Sequence, residues 1–130
     1  ERFRVHQLTV NYRTPQPIAD LAYKVRRSVD EYAQPTESIR DGEPVRFVSA
    51  DDAEGPLDAG IFTDEGGRLN AIIDVSNVEE VKGLEFDHVT VVNPEEIINR
   101  SPLGVNDLYV ALTRATQTLT IVGHWPEEFR

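Results

Sequence analysis

Val89-Thr90-Val91-Val92 is a run of β-branched residues with almost no alternation of apolar and polar character. That pattern marks a strand buried on both faces, and strands buried so are usually parallel ones. Parallel strands need crossover connections, usually through a helix. The chain has the parts. Ala71-Ile72-Ile73-Asp74-Val75 reads as a strand before the run, and Leu119-Thr120-Ile121-Val122, closed by Gly123, as a strand after it. Between them Leu108, Tyr109, Ala111, Leu112 and Ala115 form a helix, with Asn106 or Asp107 as its cap. Residues 5–10 read as a further strand through Val5, Leu8 and Val10. Thr14-Pro15 then opens a helix, Thr as cap and Pro in the first turn. Ile18, Leu21, Ala22, Val25 and Val29 give it one buried face, and Pro35 stops it. The fold class is therefore α/β, a mostly parallel sheet flanked by helices. Functional loops of such sheets are expected at the carboxyl ends of the strands.

Residues 35–67 are rich in Pro, Gly, Asp and Glu and give no firm topology. Val45-Arg46-Phe47-Val48 reads as a strand within them, Ile61-Phe62 as another, and Asp64-Glu65-Gly66-Gly67 as a turn. Residues 78–84 read as a short helix or loop. The 130 residues fit one domain, residues 1–130, and a chain that starts at Glu1 without any Met reads as a piece of a longer protein. With no apolar run near twenty residues, a cytoplasmic location away from membranes is expected. The absence of Cys excludes disulfides and thiolate metal sites. The net charge of -10 opposes nucleic-acid binding, which depends on Lys and Arg neutralising phosphates. It fits either plain solubility or an acidic docking face for a basic partner.

The chain has no phosphate cradle of its own. Gly55-Pro56-Leu57-Asp58-Ala59-Gly60 has P-loop glycine spacing, but Ile61-Phe62 stands where Lys and Ser or Thr are needed. His6, His88 and His124 show no metal-ligand spacing, and Asn99-Arg100-Ser101 is a chance glycosylation match.

Three segments carry a resemblance. In order they are Leu8-Thr9-Val10-Asn11-Tyr12-Arg13-Thr14-Pro15, then Val81-Lys82-Gly83-Leu84-Glu85-Phe86-Asp87, then Asp107-Leu108-Tyr109-Val110-Ala111-Leu112-Thr113-Arg114-Ala115. Together they resemble motifs IV, V and VI of the UvrD/Rep superfamily 1 helicases. The resemblance anchors both ends of the chain and leaves the middle third unmatched. The short link from Asn93 to Asn106 is most similar to the HelD-like branch, which includes DNA helicase IV and RNA-polymerase-recycling ATPases.

The resemblance implies a second RecA-like domain, P-loop NTPase in type but without its own P-loop. It implies a share in an ATP site, with ATP and Mg²⁺ held mainly by an N-terminal RecA-like domain of the same parent chain. Arg13 and Arg114 match the arginines that reach the γ-phosphate, a task suited to a permanently charged planar fork. Tyr12 matches the residue that stacks on adenine, and Glu85 the one that accepts a ribose hydroxyl. Gly83 permits a tight turn or a close backbone approach, and Lys82 orients the loop or pairs with an acid. Read without the resemblance, the arginines are surface cations, Tyr12 a half-buried core ring and Glu85 a helix-end carboxylate.

Two departures qualify the helicase reading. Glu79 stands where motif V usually has a DNA-gripping His, and a carboxylate beside a phosphate backbone is repulsive. The segment between motifs IV and V is also too short for the large insertion of UvrD-type helicases. Weak DNA contact through this domain is therefore expected, and an ATP-driven remodeller is preferred to an unwinding enzyme. The isolated chain is expected to be inactive. Two alternatives remain: an acidic interaction module of a HelD-like factor that docks on RNA polymerase, and a flavodoxin-like binder of a small anion.

Overall fold

The computed structural model of the protein describes residues 10–11, 13–35, 37–53 and 57–130. Its centre is a five-stranded sheet in the order β3-β7-β6-β5-β4. The strands are β3 (Arg46–Val48), β4 (Gly60–Thr63), β5 (Leu69–Ile73), β6 (Phe86–Val92) and β7 (Ala115–Val122). All neighbouring pairs are parallel except β4 with β5, a hairpin turned at Asp64 and Gly67. A separate parallel pair joins β1 (Val10–Asn11) to β2 (Glu37–Ser38). Among the described residues three α-helices flank the strands: α1 (Gln16–Arg27), α2 (Pro94–Asn99) and α3 (Gly104–Leu112). The architecture is the mostly parallel α/β arrangement that the strand and helix alternation predicts.

One face of the sheet is fully covered. Ala71, Ile73, Val89, Val91, Leu119 and Ile121 point to it and share a single core with Ile18, Leu21 and Val25 of α1, Ile97 of α2 and Leu108, Ala111 and Leu112 of α3. Arg26 lies over the Tyr109 ring at 5.4 Å, closing α1 against α3. The opposite face carries Asn70, Ile72, His88, Thr90, Thr118 and Thr120, all only half-buried. The expectation that β6 is buried on both faces therefore holds for one face throughout and for the other only at Val92, where it pairs with Val122. Thr90 and His88 supply the polar side chains that make the other tolerable to water, and His88 Nδ1 is hydrogen-bonded to Thr118 Oγ1 at 2.7 Å.

Several helix boundaries differ from the sequence reading. Pro15, not Thr14, holds the cap position of α1, and no side chain caps it. The Pro15 carbonyl accepts from the amides of Ile18 and Ala19, so its fixed φ already points the chain into the helix. The helix ends at Arg27, well before Pro35, where Ser28 Oγ donates back to the Val25 carbonyl at 2.7 Å. Val29 is consequently 61% exposed and lies off the buried face. The link from Asn93 to Asn106 contains the short helix α2, for which Pro94 at its start and the acids Glu95 and Glu96 in its first turn suit a helix N-terminus. The third helix begins at Gly104, so neither Asn106 nor Asp107 is its cap.

Residues 35–67 resolve into the two expected strands, β3 and β4, at opposite edges of the sheet, with β2 as an addition. The strand expected over residues 5–10 is described only at Val10, and residues 54–56 of the rejected P-loop-like stretch lie outside the described residues.

Candidate functional site

Residues far apart in the chain meet at one end of the sheet. Arg13 follows β1, which β2 holds in place, and Arg40 NH1 adds a bond to the Arg13 carbonyl at 3.0 Å. Its guanidinium NH1 lies 2.6 Å from Glu85 Oε2, an ion pair whose side chains are 72% and 42% exposed. Glu85 sits in the loop directly before β6. Arg114 sits in the turn between α3 and β7, where Nε donates to the Val110 carbonyl at 3.0 Å and NH1 to the Leu84 carbonyl at 3.2 Å. The backbone closes the same junction, the Phe86 amide donating to the Arg114 carbonyl at 2.9 Å. Two guanidiniums thus hold adjacent residues, Arg114 on Leu84 and Arg13 on Glu85.

The place of this cluster corrects the expectation of carboxyl-end loops. Glu85 and Arg114 stand at the amino ends of β6 and β7, because the segments that carry them enter those strands rather than leave them. Gly83 has φ +82, and a Cβ built on it meets nothing within 4 Å. The positive φ is what the tight turn requires, and no atom of this chain crowds the glycine. Tyr12 lies outside the described residues.

Beside the cluster a hollow lined by Thr14, Tyr23, Tyr109 and Thr113 measures about 40 Å³. Small-molecule pockets run to hundreds of cubic ångströms. The described residues therefore offer charged groups at an open edge, beside a hollow too small to enclose a nucleotide. No group of three His, Cys, Asp or Glu residues gathers to hold a metal ion among the described residues.

Behind the exposed pair is a ring of alternating charges. Lys82 Nζ lies 3.0 Å from Asp107 Oδ1 and 3.1 Å from Glu79 Oε2. Arg100 NH2 lies 3.0 Å from Glu79 Oε1, and its NH1 lies 3.9 Å from Asp107 Oδ2. Asp107 is 2% exposed. Rather than capping the helix, it stands one turn before the buried Ala111 and so on the inner side of α3. Glu79 is engaged by two cations, which offsets the repulsion toward phosphates argued from the sequence.

The hydrogen bond to Asp107, and then that to Glu79, raises the Lys82 ammonium above its ordinary value. The bond from Lys82 lowers the Glu79 carboxyl. A raised amine contributes stability below its ordinary value and loses it as pH rises through the raised one. A lowered carboxyl contributes above its ordinary value and loses it as pH falls through the lowered one. Lys82→Gln is therefore expected to lower the melting temperature through the neutral range, with the gap to wild type closing in acid and in strong alkali. A gap that stays constant from neutral to acid pH would show that the ring adds nothing to stability.

The loop of Lys82, Gly83 and Glu85, the two strands it joins and the helix leading to Arg114 are thus one contiguous unit. Residues 73–122 match the UvrD-like helicase C-terminal domain. No curated protein matches the chain. The matched span runs from the last residue of β5 to the end of β7 and includes Lys82, Gly83, Glu85, Asp107 and Arg114, while Arg13 and Tyr12 precede it. It supports a UvrD/Rep-like C-terminal domain with the α/β fold of RecA-like type described above. The match suggests the motor half of a helicase. No helix among the described residues is long and apolar enough to cross a membrane.

Proposed function

We propose that the chain supplies the second wall of an ATP site shared with an N-terminal RecA-like domain of the same parent protein. Arg13 and Arg114 act as arginine fingers toward the γ-phosphate, Glu85 accepts a ribose hydroxyl, Tyr12 stacks on adenine and Gly83 forms the turn that presents Glu85. The observation that carries this reading is the meeting of Arg13 and Arg114 on Leu84 and Glu85 at an open edge. Phosphoryl transfer needs positioned positive charge more than covalent chemistry, and two guanidiniums beside one carboxylate suit a triphosphate with its ribose.

In this reading an arriving triphosphate takes Arg13 from Glu85, and the released carboxylate turns to the ribose. The other domain holds the phosphate cradle and Mg²⁺, which fits the small hollow beside the cluster. The short connection from β6 to α3, filled by α2, supports a place near the HelD-like branch. Contact of this domain with DNA is weak, in keeping with its net charge of -10.

The test is Glu85→Ala in the full-length protein. A charge-assisted hydrogen bond lost from bound nucleotide is expected to raise KM for ATP by about tenfold, with kcat changed much less. An unaltered KM removes Glu85 from the site. The acidic charge also favours a second reading, a module that docks on RNA polymerase, in which ATP turnover does not depend on these residues.

A further inference from the structure

We propose that Asp107 is a positioning residue for the nucleotide cleft, acting through Lys82 to hold the 83–85 turn where Glu85 faces the ribose. The inference rests on the proposed reading of Glu85 and goes beyond it. Asp107 is a carboxylate at 2% exposure in the first turn of α3. A charge removed that far from water persists only when cations meet it, and Lys82 at 3.0 Å does so, with Arg100 at 3.9 Å.

What Lys82 adjoins gives the pairing its consequence. The next residue is Gly83 at φ +82. The turn has one backbone bond of its own, the Leu84 amide donating to the Val81 carbonyl at 3.1 Å, and glycine reaches many conformations at little cost, so the exact setting of the turn depends on what holds its two ends. Beyond the glycine, the Leu84 carbonyl is held by Arg114 and the Phe86 amide by the Arg114 carbonyl. The flexible residue is therefore pinned on one side by Asp107 through Lys82 and on the other by Arg114. Both pins belong to one rigid unit, since Asp107 lies in the first turn of α3 and Arg114 just past its last residue. A shift of that helix moves the anchor of Glu85 and the arginine together, and so keeps their spacing.

The experiment uses the full-length protein and compares kcat/KM for ATP with that for 2′-deoxy-ATP and 3′-deoxy-ATP. Wild type is expected to favour ATP by about tenfold over the analogue lacking the hydroxyl that Glu85 holds, and Glu85→Ala to bring that ratio near one. Asp107→Asn and Lys82→Gln are each expected to collapse the ratio in the same way. Lys82→Arg, which keeps the cation, is expected to restore it. Lys82 is partly exposed, so Lys82→Gln decides the matter where Asp107→Asn fails to fold. A purely structural role lowers the melting temperature and leaves ribose selectivity intact. Selectivity lost in Glu85→Ala but kept in Asp107→Asn and Lys82→Gln overturns this inference and leaves the nucleotide site standing. Selectivity equal in wild type and Glu85→Ala overturns the reading of Glu85 itself.

Discussion

Arg114→Ala in the full-length protein is expected to cut ATP turnover by about 10³-fold or more, the range observed for arginine fingers. Arg13→Ala is expected to show a loss of the same kind. The two arginines differ in how they are held. Arg114 is half-buried and fixed by carbonyls at 3.0 and 3.2 Å, so its fork is oriented before nucleotide arrives. Arg13 is 72% exposed and rests on Glu85, so it must change partners on binding. Preorganisation favours the larger kcat effect at Arg114. Arg114→Lys is expected to rescue little, because an ammonium cannot reproduce the planar fork that holds the Leu84 carbonyl. Losing the carbonyl bonds costs stability as well, about 1 kcal/mol each. Melting temperatures measured beside the kinetics separate the effects, since a destabilisation of that size leaves most of the protein folded. Turnover at the wild-type rate in both variants would favour the polymerase-docking module over the motor half.

The strands were legible in the sequence because their apolar runs are continuous. Val89 to Val92 and Leu119 to Val122 lie side by side at the sheet centre, where such runs belong. The cluster of the candidate site was legible through its motifs, since the structure brings Arg13, Glu85 and Arg114 together across large sequence separations. Helix ends were not legible. Thr14 satisfies the rule for a cap, yet Pro15 occupies that position, since a fixed φ competes with a side-chain acceptor. Asp107 likewise satisfies a cap rule, but its carboxylate is drawn inward by Lys82 and Arg100, which lie in separate segments. Pairings of that sort depend on how helices dock, and no local pattern encodes them. The half-covered second face of β6 is a further case, because Thr90 is as much at home at a half-wet surface as in a β-branched core run.

Gly104→Ala is the substitution expected to harm the fold most. A Cβ at this position would lie 1.9 Å from the Ile98 carbonyl oxygen and 2.6 Å from that of Ile97. Both obstacles are backbone, so no side chain can swing away, and α2 and α3 must separate. Overpacking costs about 1–3 kcal/mol where neighbours can shift, and a backbone collision this deep is expected at or above the upper end. For a chain of this size that is a fall of about 10 °C in melting temperature. Gly60→Ala is the control: nothing lies within 4 Å of its added Cβ, and its stability is expected to stay within about 1 kcal/mol of wild type. The damage at Gly104 should also reach the proposed nucleotide edge, because the helix that begins there carries Asp107 and leads into Arg114. Ribose selectivity should therefore fall in whatever fraction of Gly104→Ala remains folded, while Gly60→Ala keeps it. If Gly104→Ala melts with wild type, the close crossing of α2 on α3 is wrong, and with it the rigid link between the buried carboxylate and the arginine.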